Sequence, residues 1–203
     1  GSDLGFEIGI TLYFFEQFEK TRATSSFMLS AFFFGVSASD HLLAFLAFPA
    51  LGLYLILSKK YRSLNLNLQK IIFASLAFIL GFSIYIIQFI RLTKNFSIGK
   101  LMGPAAGATF LENLGTLSLA ALGESLTRYG LFFALQFGLM GIVFGIIGFR
   151  KALNGSMLKF VLFFIIYALF GILYRVSDQF AFFLTSYVFF ALLMGLGATH
   201  VLS

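Results

Sequence analysis

The stretch SFMLSAFFFGVSASDHLLAFLAFPALGLYLILSKK, Ser26–Lys60, decides the fold class. Its two apolar runs, Phe27–Val36 and Leu42–Leu57, flank the pair Asp40–His41. Lys20 and Arg22 precede the stretch, and Lys59, Lys60 and Arg62 close it. A water-soluble domain has nowhere to bury both faces of so much continuous apolar sequence. A bilayer accepts it, provided the backbone stays helical and internally hydrogen-bonded. The stretch therefore reads as a tight transmembrane hairpin, with its basic ends in the cytoplasm and Asp40–His41 at the opposite surface.

Composition extends this reading to the whole chain. Its 203 residues are 60% hydrophobic and only 11% charged, and the mean hydropathy is +0.97. Soluble domains carry about 25% charged residues, so the expectation is an all-α, polytopic integral membrane protein forming a single transmembrane domain over residues 1–203. The chain has no Trp, so its eight Tyr are expected to supply the interfacial belt. The net charge of +6 would suggest a nucleic-acid partner only if the basic residues clustered on a soluble face. Instead they punctuate the apolar runs, as topology signals do, and the expected partner is lipid. The absence of Cys removes thiolate nucleophiles and cysteine-ligated metal clusters. No cleavable signal peptide is visible in the opening GSDLGFEIGI, and Gly1–Ser2 reads either as a cloning scar or as the edge of a longer chain.

Taken in order, Leu4–Phe18 is an apolar run interrupted by Glu7 and Glu16. At about 22 Å it is short of the ~30 Å hydrocarbon core, and it reads as a short span, an interfacial helix or part of a longer one. Tyr61–Lys70 reads as a polar cytoplasmic loop, and Ile71–Ile90 as the cleanest span. Arg91–Arg128 is the longest non-spanning segment, with an interfacial or re-entrant helix expected over Thr109–Leu122. Tyr129–Phe149 spans again, and its Gly138, Gly141, Gly145 and Gly148 form a smooth stripe on which another helix can pack. Leu158–Tyr174 and Phe180–Ala198 complete six or seven spans. Under this topology Lys20, Arg22, Lys59, Lys60, Arg62, Lys70, Arg150, Lys151 and Lys159 lie inside. Arg91, Lys94, Lys100, Arg128 and Arg175 lie outside, beside Asp40, Glu112, Glu124 and Asp178. Charges of both signs gathered on one face are what a polar site looks like.

Several of these stretches resemble a bacterial membrane family of the GT-C glycosyltransferase superfamily, related to the transmembrane protein O-mannosyltransferases. They are FGVSASDHLLAFLAFPALGLYLIL with Asp40–His41 and Pro49, SIYIIQFIR ending in Arg91, and LMGPAAGATFLENL. YGLFFALQFGLMGIVFGIIGFRK and YRVSDQFAFFLTSYVFFALLMGLG, with Asp178 at a hairpin tip, follow in the same order. The resemblance implies sugar transfer from a polyprenyl-phosphate donor with inverting chemistry, on the outer side of a bacterial inner membrane. In such enzymes the catalytic carboxylate sits in a first extracytoplasmic loop, N-terminal to everything matched here. The chain is thus expected to be a fragment, or to have lost its catalytic half, and to be inactive alone.

Asp40, His41 and Asp178 are the candidate catalytic residues. Asp40–His41 reads as a base, an acceptor-binding pair or a clamp on a lipid phosphate, or simply as a polar turn in which Asp40 caps a helix starting at Leu42. Arg91, Arg128 and Arg175 suit a phosphate because a planar guanidinium binds it bidentately; the alternative is snorkelling to lipid headgroups. Glu124 belongs to the same candidate substrate-binding set. Arg175–Asp178 at i, i+3 and Glu124–Arg128 at i, i+4 also read as structural ion pairs. No metal-ligand spacing or phosphate-binding glycine loop is present, and no cofactor can be named from the sequence. The reading from a different class is a non-catalytic subunit of a larger membrane complex, associated with pigment or quinone. The Phe-rich faces and glycine stripes suit that role, with His41 or His200 as an axial ligand.

Overall fold

The computed structural model describes residues 3–58, 64, 66–93, 118–153, 155–175 and 179–203. Among these the chain is all-helical and contains no strand, the architecture of an α-helical membrane protein. In chain order the helices are α1 (Asp3–Thr21), α2 (Thr24–Asp40), a 3-10 turn (Leu42–Leu46), α3 (Ala47–Leu57), α4 (Leu68–Thr93), α5 (Leu119–Ala152), α6 (Leu158–Leu173) and α7 (Gln179–Leu202). Among the described residues three helices are long and apolar enough to cross a membrane, Leu68–Thr93, Leu119–Ala152 and Phe182–Leu202, and Leu43–Leu57 and Leu158–Leu173 are shorter apolar helices. The chain divides into two compact units: Gly1–Phe45 with Lys59–Gly107, and Leu46–Ser58 with Ala108–Ser203.

In the first unit, α1 buries Ile8, Leu12, Phe15 and Phe18, a stripe at helical spacing. That stripe packs on α2, which runs antiparallel to α1. Phe14 stacks on Phe33 and Phe18 on Phe27, and the Ser30 hydroxyl donates to the Thr11 carbonyl at 3.0 Å. Arg22, in the left-handed conformation (φ 59°), ends α1 at a position glycine more often fills. Asn67 starts α4 by accepting the Lys70 backbone N–H at 2.9 Å.

Two glycines let α2 and α4 cross at van der Waals contact of their backbones. A Cβ added at Gly35 would lie 2.3 Å from the Phe78 carbonyl oxygen, and one added at Gly81 would lie 2.2 Å from that of Phe32. At the same crossing the Ser39 hydroxyl donates to the Gly81 carbonyl at 3.1 Å. The obstructing atoms are backbone and cannot rotate away, so Gly81→Ala should destabilise this unit by about 2 kcal/mol. Unfolding in mixed detergent micelles, followed by circular dichroism, reads this directly; an unshifted midpoint would refute the close crossing.

The two arms of the expected Ser26–Lys60 hairpin do not form a unit of their own. α2 packs with α1 and α4 in the first unit, and α3 packs on α6 in the second. Sequence alone cannot choose among apolar partners, because lipid and protein interiors are equally apolar. Lys59, Lys60 and Arg62 lie outside the described residues.

In the second unit α7 lies alongside α5 in the same direction, and α6 runs antiparallel to both. Tyr129, Phe133 and Phe137 of α5 meet Phe183, Tyr187 and Phe190 of α7, and Phe163 and Tyr167 of α6 meet Phe189. Tyr54, Tyr167 and Tyr187 are buried core residues whose rings fill space between helices, so these three of the eight Tyr do not serve an interfacial belt. Lys159, expected among the cytoplasmic basic residues, is also fully buried, its ammonium 5.9 Å from the Tyr54 ring centre and 5.7 Å from that of Phe160. Its long apolar stem lets it be held in the α3–α6 contact, with the charge over aromatic faces.

The expected helix over Thr109–Leu122 is not separate where it can be followed. Residues 119–122 form the first turn of α5, which starts at the Ser118 cap. Residues 109–117 lie outside the described set. Of the glycine stripe, Gly141, Gly145 and Gly148 face α7, against Met194, Phe190 and Leu193 respectively. Gly138 does not, because its backbone is non-helical (φ 60°, ψ −179°) and breaks α5 in two.

Candidate functional site

Two arginines from different parts of the second unit converge on one carboxylate. Glu124 and Arg128 are one turn apart on α5, and Arg175 follows the C-terminal end of α6. The Arg128 Nη2 donates to Glu124 Oε1 at 2.5 Å, and the Arg175 Nη2 lies 3.7 Å from Glu124 Oε2. All three side chains are partly exposed. The i, i+4 pairing expected of Glu124 and Arg128 is present. Arg175 reaches Glu124, whereas its expected partner Asp178 lies outside the described residues.

A buried polar layer sets this spacing. Gln179, the first residue of α7, donates from Nε2 to the Gly171 carbonyl at 2.9 Å and to the Ile172 carbonyl at 3.4 Å. These are last-turn carbonyls of α6, which lack intrahelical partners. The same amide lies 3.4 Å from the Ser125 hydroxyl, next in sequence to Glu124. One side chain thus ties the end of α6, where Arg175 sits, to the turn of α5 that carries Glu124. Deeper in, the Tyr129 and Ser186 hydroxyls lie 3.0 Å apart, and the Tyr187 hydroxyl donates to the Tyr129 carbonyl at 3.2 Å. Gln179, Ser125 and Ser186 were not among the expected site residues. Their signal was present, since polar side chains at the ends or within apolar runs tend to bond across helices.

Chemically, the cluster is a fork of guanidinium donors with a carboxylate seated in it. A phosphate ester offers a similar edge of paired, negatively charged oxygens, so Arg128 and Arg175 could take it bidentately in place of Glu124.

The other candidates belong to the first unit. Asp40 is the last residue of α2, and its Oδ2 lies 3.3 Å from Nε2 of the adjacent His41, both side chains partly exposed. His41 has extended backbone, donates its N–H to Ser37 and accepts from Ala44 through its carbonyl. α3 is preceded by Leu46 with no side-chain cap. Arg91 lies in the last turn of α4 and is exposed. α2 and α4 run in the same direction: the Lys70 ammonium sits over Phe18, which stacks on Phe27 near the start of α2, and Gly81 lies against Val36 nearer its end. Asp40 and Arg91 therefore occupy the same end of this unit, Arg91 roughly 10 Å further along at 1.5 Å per residue. No family model matches this chain, and no curated protein or solved structure matches it significantly.

Proposed function

We propose that the chain is the membrane half of a GT-C-like glycosyltransferase, with six or seven spans in a bacterial inner membrane. In this reading it holds the phosphate of a polyprenyl-phosphate sugar donor and transfers no sugar by itself. The observation that carries this is the convergence of Arg128 and Arg175 on Glu124, a ready guanidinium fork at the end of a helix that is long and apolar enough to cross a bilayer. Inverting transfer also needs a carboxylate base at the acceptor hydroxyl. Both Glu124 oxygens are engaged by arginine, and Asp40 is paired with its neighbour His41, which supports binding without turnover.

The test is reconstitution of the chain in phosphatidylcholine nanodiscs containing a polyprenyl monophosphate. Arg128→Ala and Arg175→Ala should each weaken retention of that lipid by about tenfold, the loss of one charge-assisted contact. With the sugar-loaded donor and a peptide or lipid acceptor, no turnover is expected. Turnover abolished by Asp40→Asn would overturn the reading and make Asp40 the base.

A second reading, a non-catalytic subunit in a larger membrane complex, is favoured by the exposed apolar length of α4. Leu68, Leu76 and Leu80 are each more than half exposed. Purification that retains a pigment or quinone in place of the lipid phosphate would select it.

A further inference from the structure

The face of α2 turned toward α1 ends in a polar side chain that helix packing does not explain. Ser37 is 0% exposed, and its hydroxyl has no hydrogen-bond partner among the described residues. It lies seven residues after Ser30, about two helical turns, and so on the same face. Ser30 donates to the Thr11 carbonyl of α1 at 3.0 Å. Gly35 and Ser39, the neighbours on either side of Ser37's turn, face α4 instead. Ser37 is therefore aimed toward α1, roughly 10 Å beyond the Ser30 contact at 1.5 Å per residue. A buried hydroxyl is costly to leave unbonded, and such groups mark sites where something else binds.

At the same level α1 carries a carboxylate. Glu7 is one turn before Thr11, on the side of α1 that buries Ile8, Thr11 and Leu12, and its carbonyl accepts the Thr11 hydroxyl at 3.1 Å. One turn is about 6 Å, and helical side chains lean toward the N-terminus, so on this antiparallel pair the Glu7 carboxylate reaches toward Ser37. Its Oε2 is shielded from solvent. The backbone of α2 then breaks: Asp40 ends the helix, His41 is extended, and a 3-10 turn starts at Leu42. The final carbonyls of a helix lack intrahelical partners and form its negative pole. Asp40, paired with His41 and partly exposed, stands at the outer edge of this region.

We infer that Glu7, Ser37 and the carbonyl end of α2 form a binding site for an alkali cation. The donors are all hard oxygens, which suit alkali and alkaline-earth ions and not the softer transition metals. One carboxylate supplies the inward charge, because Asp40 is engaged by His41, and a single negative charge in an apolar setting balances a monovalent ion. A carboxylate has about four acceptor sites, so Glu7 can hold the ion beside any other contact it makes. Broken helices in apolar surroundings hold sodium in the same manner, through carbonyls at the end of a half-helix. The site lies wholly within the first unit and does not depend on the arginine fork.

The test uses the whole chain in phosphatidylcholine nanodiscs with radiolabelled sodium, and rubidium as a stand-in for potassium. One of the two should bind saturably, displaced by its own chloride salt and not by choline chloride. Ser37→Ala should weaken that binding about tenfold and Glu7→Gln about a hundredfold, as befits a neutral and a charged ligand. Glu16→Gln removes the same charge near the other end of α1, more than a Debye length away, and should stay within about twofold of wild type. A second measurement guards against misfolding. The bound ion should raise the wild-type unfolding midpoint over that in choline chloride, and both site variants should lose this difference whatever their baseline stability. Absence of saturable binding, or binding and a salt difference that survive Glu7→Gln, would overturn the inference. So would a Ser37→Ala that is destabilised equally in both salts with binding intact, which would leave a buried water as the hydroxyl's partner.

Discussion

Gly148→Ala is expected to destabilise the second unit by about 3 kcal/mol, at the upper end of what overpacking costs. The added methyl would sit 1.8 Å from the Leu193 carbonyl oxygen, and the reciprocal position is as tight, with a Cβ at Gly197 falling 1.9 Å from the Phe144 carbonyl. Both obstructions are helix backbone, so relief requires α5 and α7 to move apart, and separation would loosen the packing of Phe190 and Leu193 as well. Without a hydrophobic drive between helices in lipid, such close packing carries much of the association. Gly195→Ala is the control: nothing lies within 4 Å of its Cβ, and alanine in a helix should be neutral or stabilise by about 0.5–1 kcal/mol. Detergent-titrated unfolding of the two variants side by side decides the matter. If both shift alike, the helix contact is not what holds the unit.

Tyr54→Ala is expected to cost about 3–5 kcal/mol, the range for emptying a fully buried aromatic site. Tyr54 is 0% exposed, and so is Lys159, whose ammonium its ring covers at 5.9 Å. Truncation would leave a cavity in the α3–α6 contact and also remove one of the aromatic faces that favour the charge there. Tyr54→Phe keeps the ring and should cost less. The signature beyond stability is chemical: Lys159 should become reactive to an amine-specific label in Tyr54→Ala while staying protected in wild type. Protection that persists despite the truncation would show that α6 alone buries the lysine.

The Arg128–Glu124–Arg175 cluster shows how far the sequence was legible. The i, i+4 spacing of Glu124 and Arg128 announced its own pairing, because one helical turn brings those positions together whatever surrounds them. Arg175 was legible as a phosphate-type cation but not as a partner of Glu124, since that contact depends on the end of α6 being tied to α5 through Gln179 and Ser125. The glycines divide in the same way. Gly141, Gly145 and Gly148 read correctly as a packing stripe from their periodicity, while Gly35 and Gly81 meet across α2 and α4 with nothing local to link them. Gly138 belongs to the periodic series yet breaks the helix at a positive φ, which periodicity does not reveal.

What the sequence determined by itself is the class of structure and the positions of its longest helices. An apolar run such as Ile71–Ile90 must satisfy its backbone internally, whatever its neighbours, and so becomes a helix. Even there the run was only the middle of α4, which extends to Leu68 and Thr93. Helix pairing was decided by tertiary structure alone. α2 joins α1 and α4, α3 joins α6, and Lys159 ends in a core although its charge pointed to a membrane surface. The physical reason is that lipid and protein interiors are equally apolar. Hydropathy can place a segment in the bilayer, but the choice of neighbour rests on shape, on where a glycine admits a backbone, and on which polar side chain finds a partner.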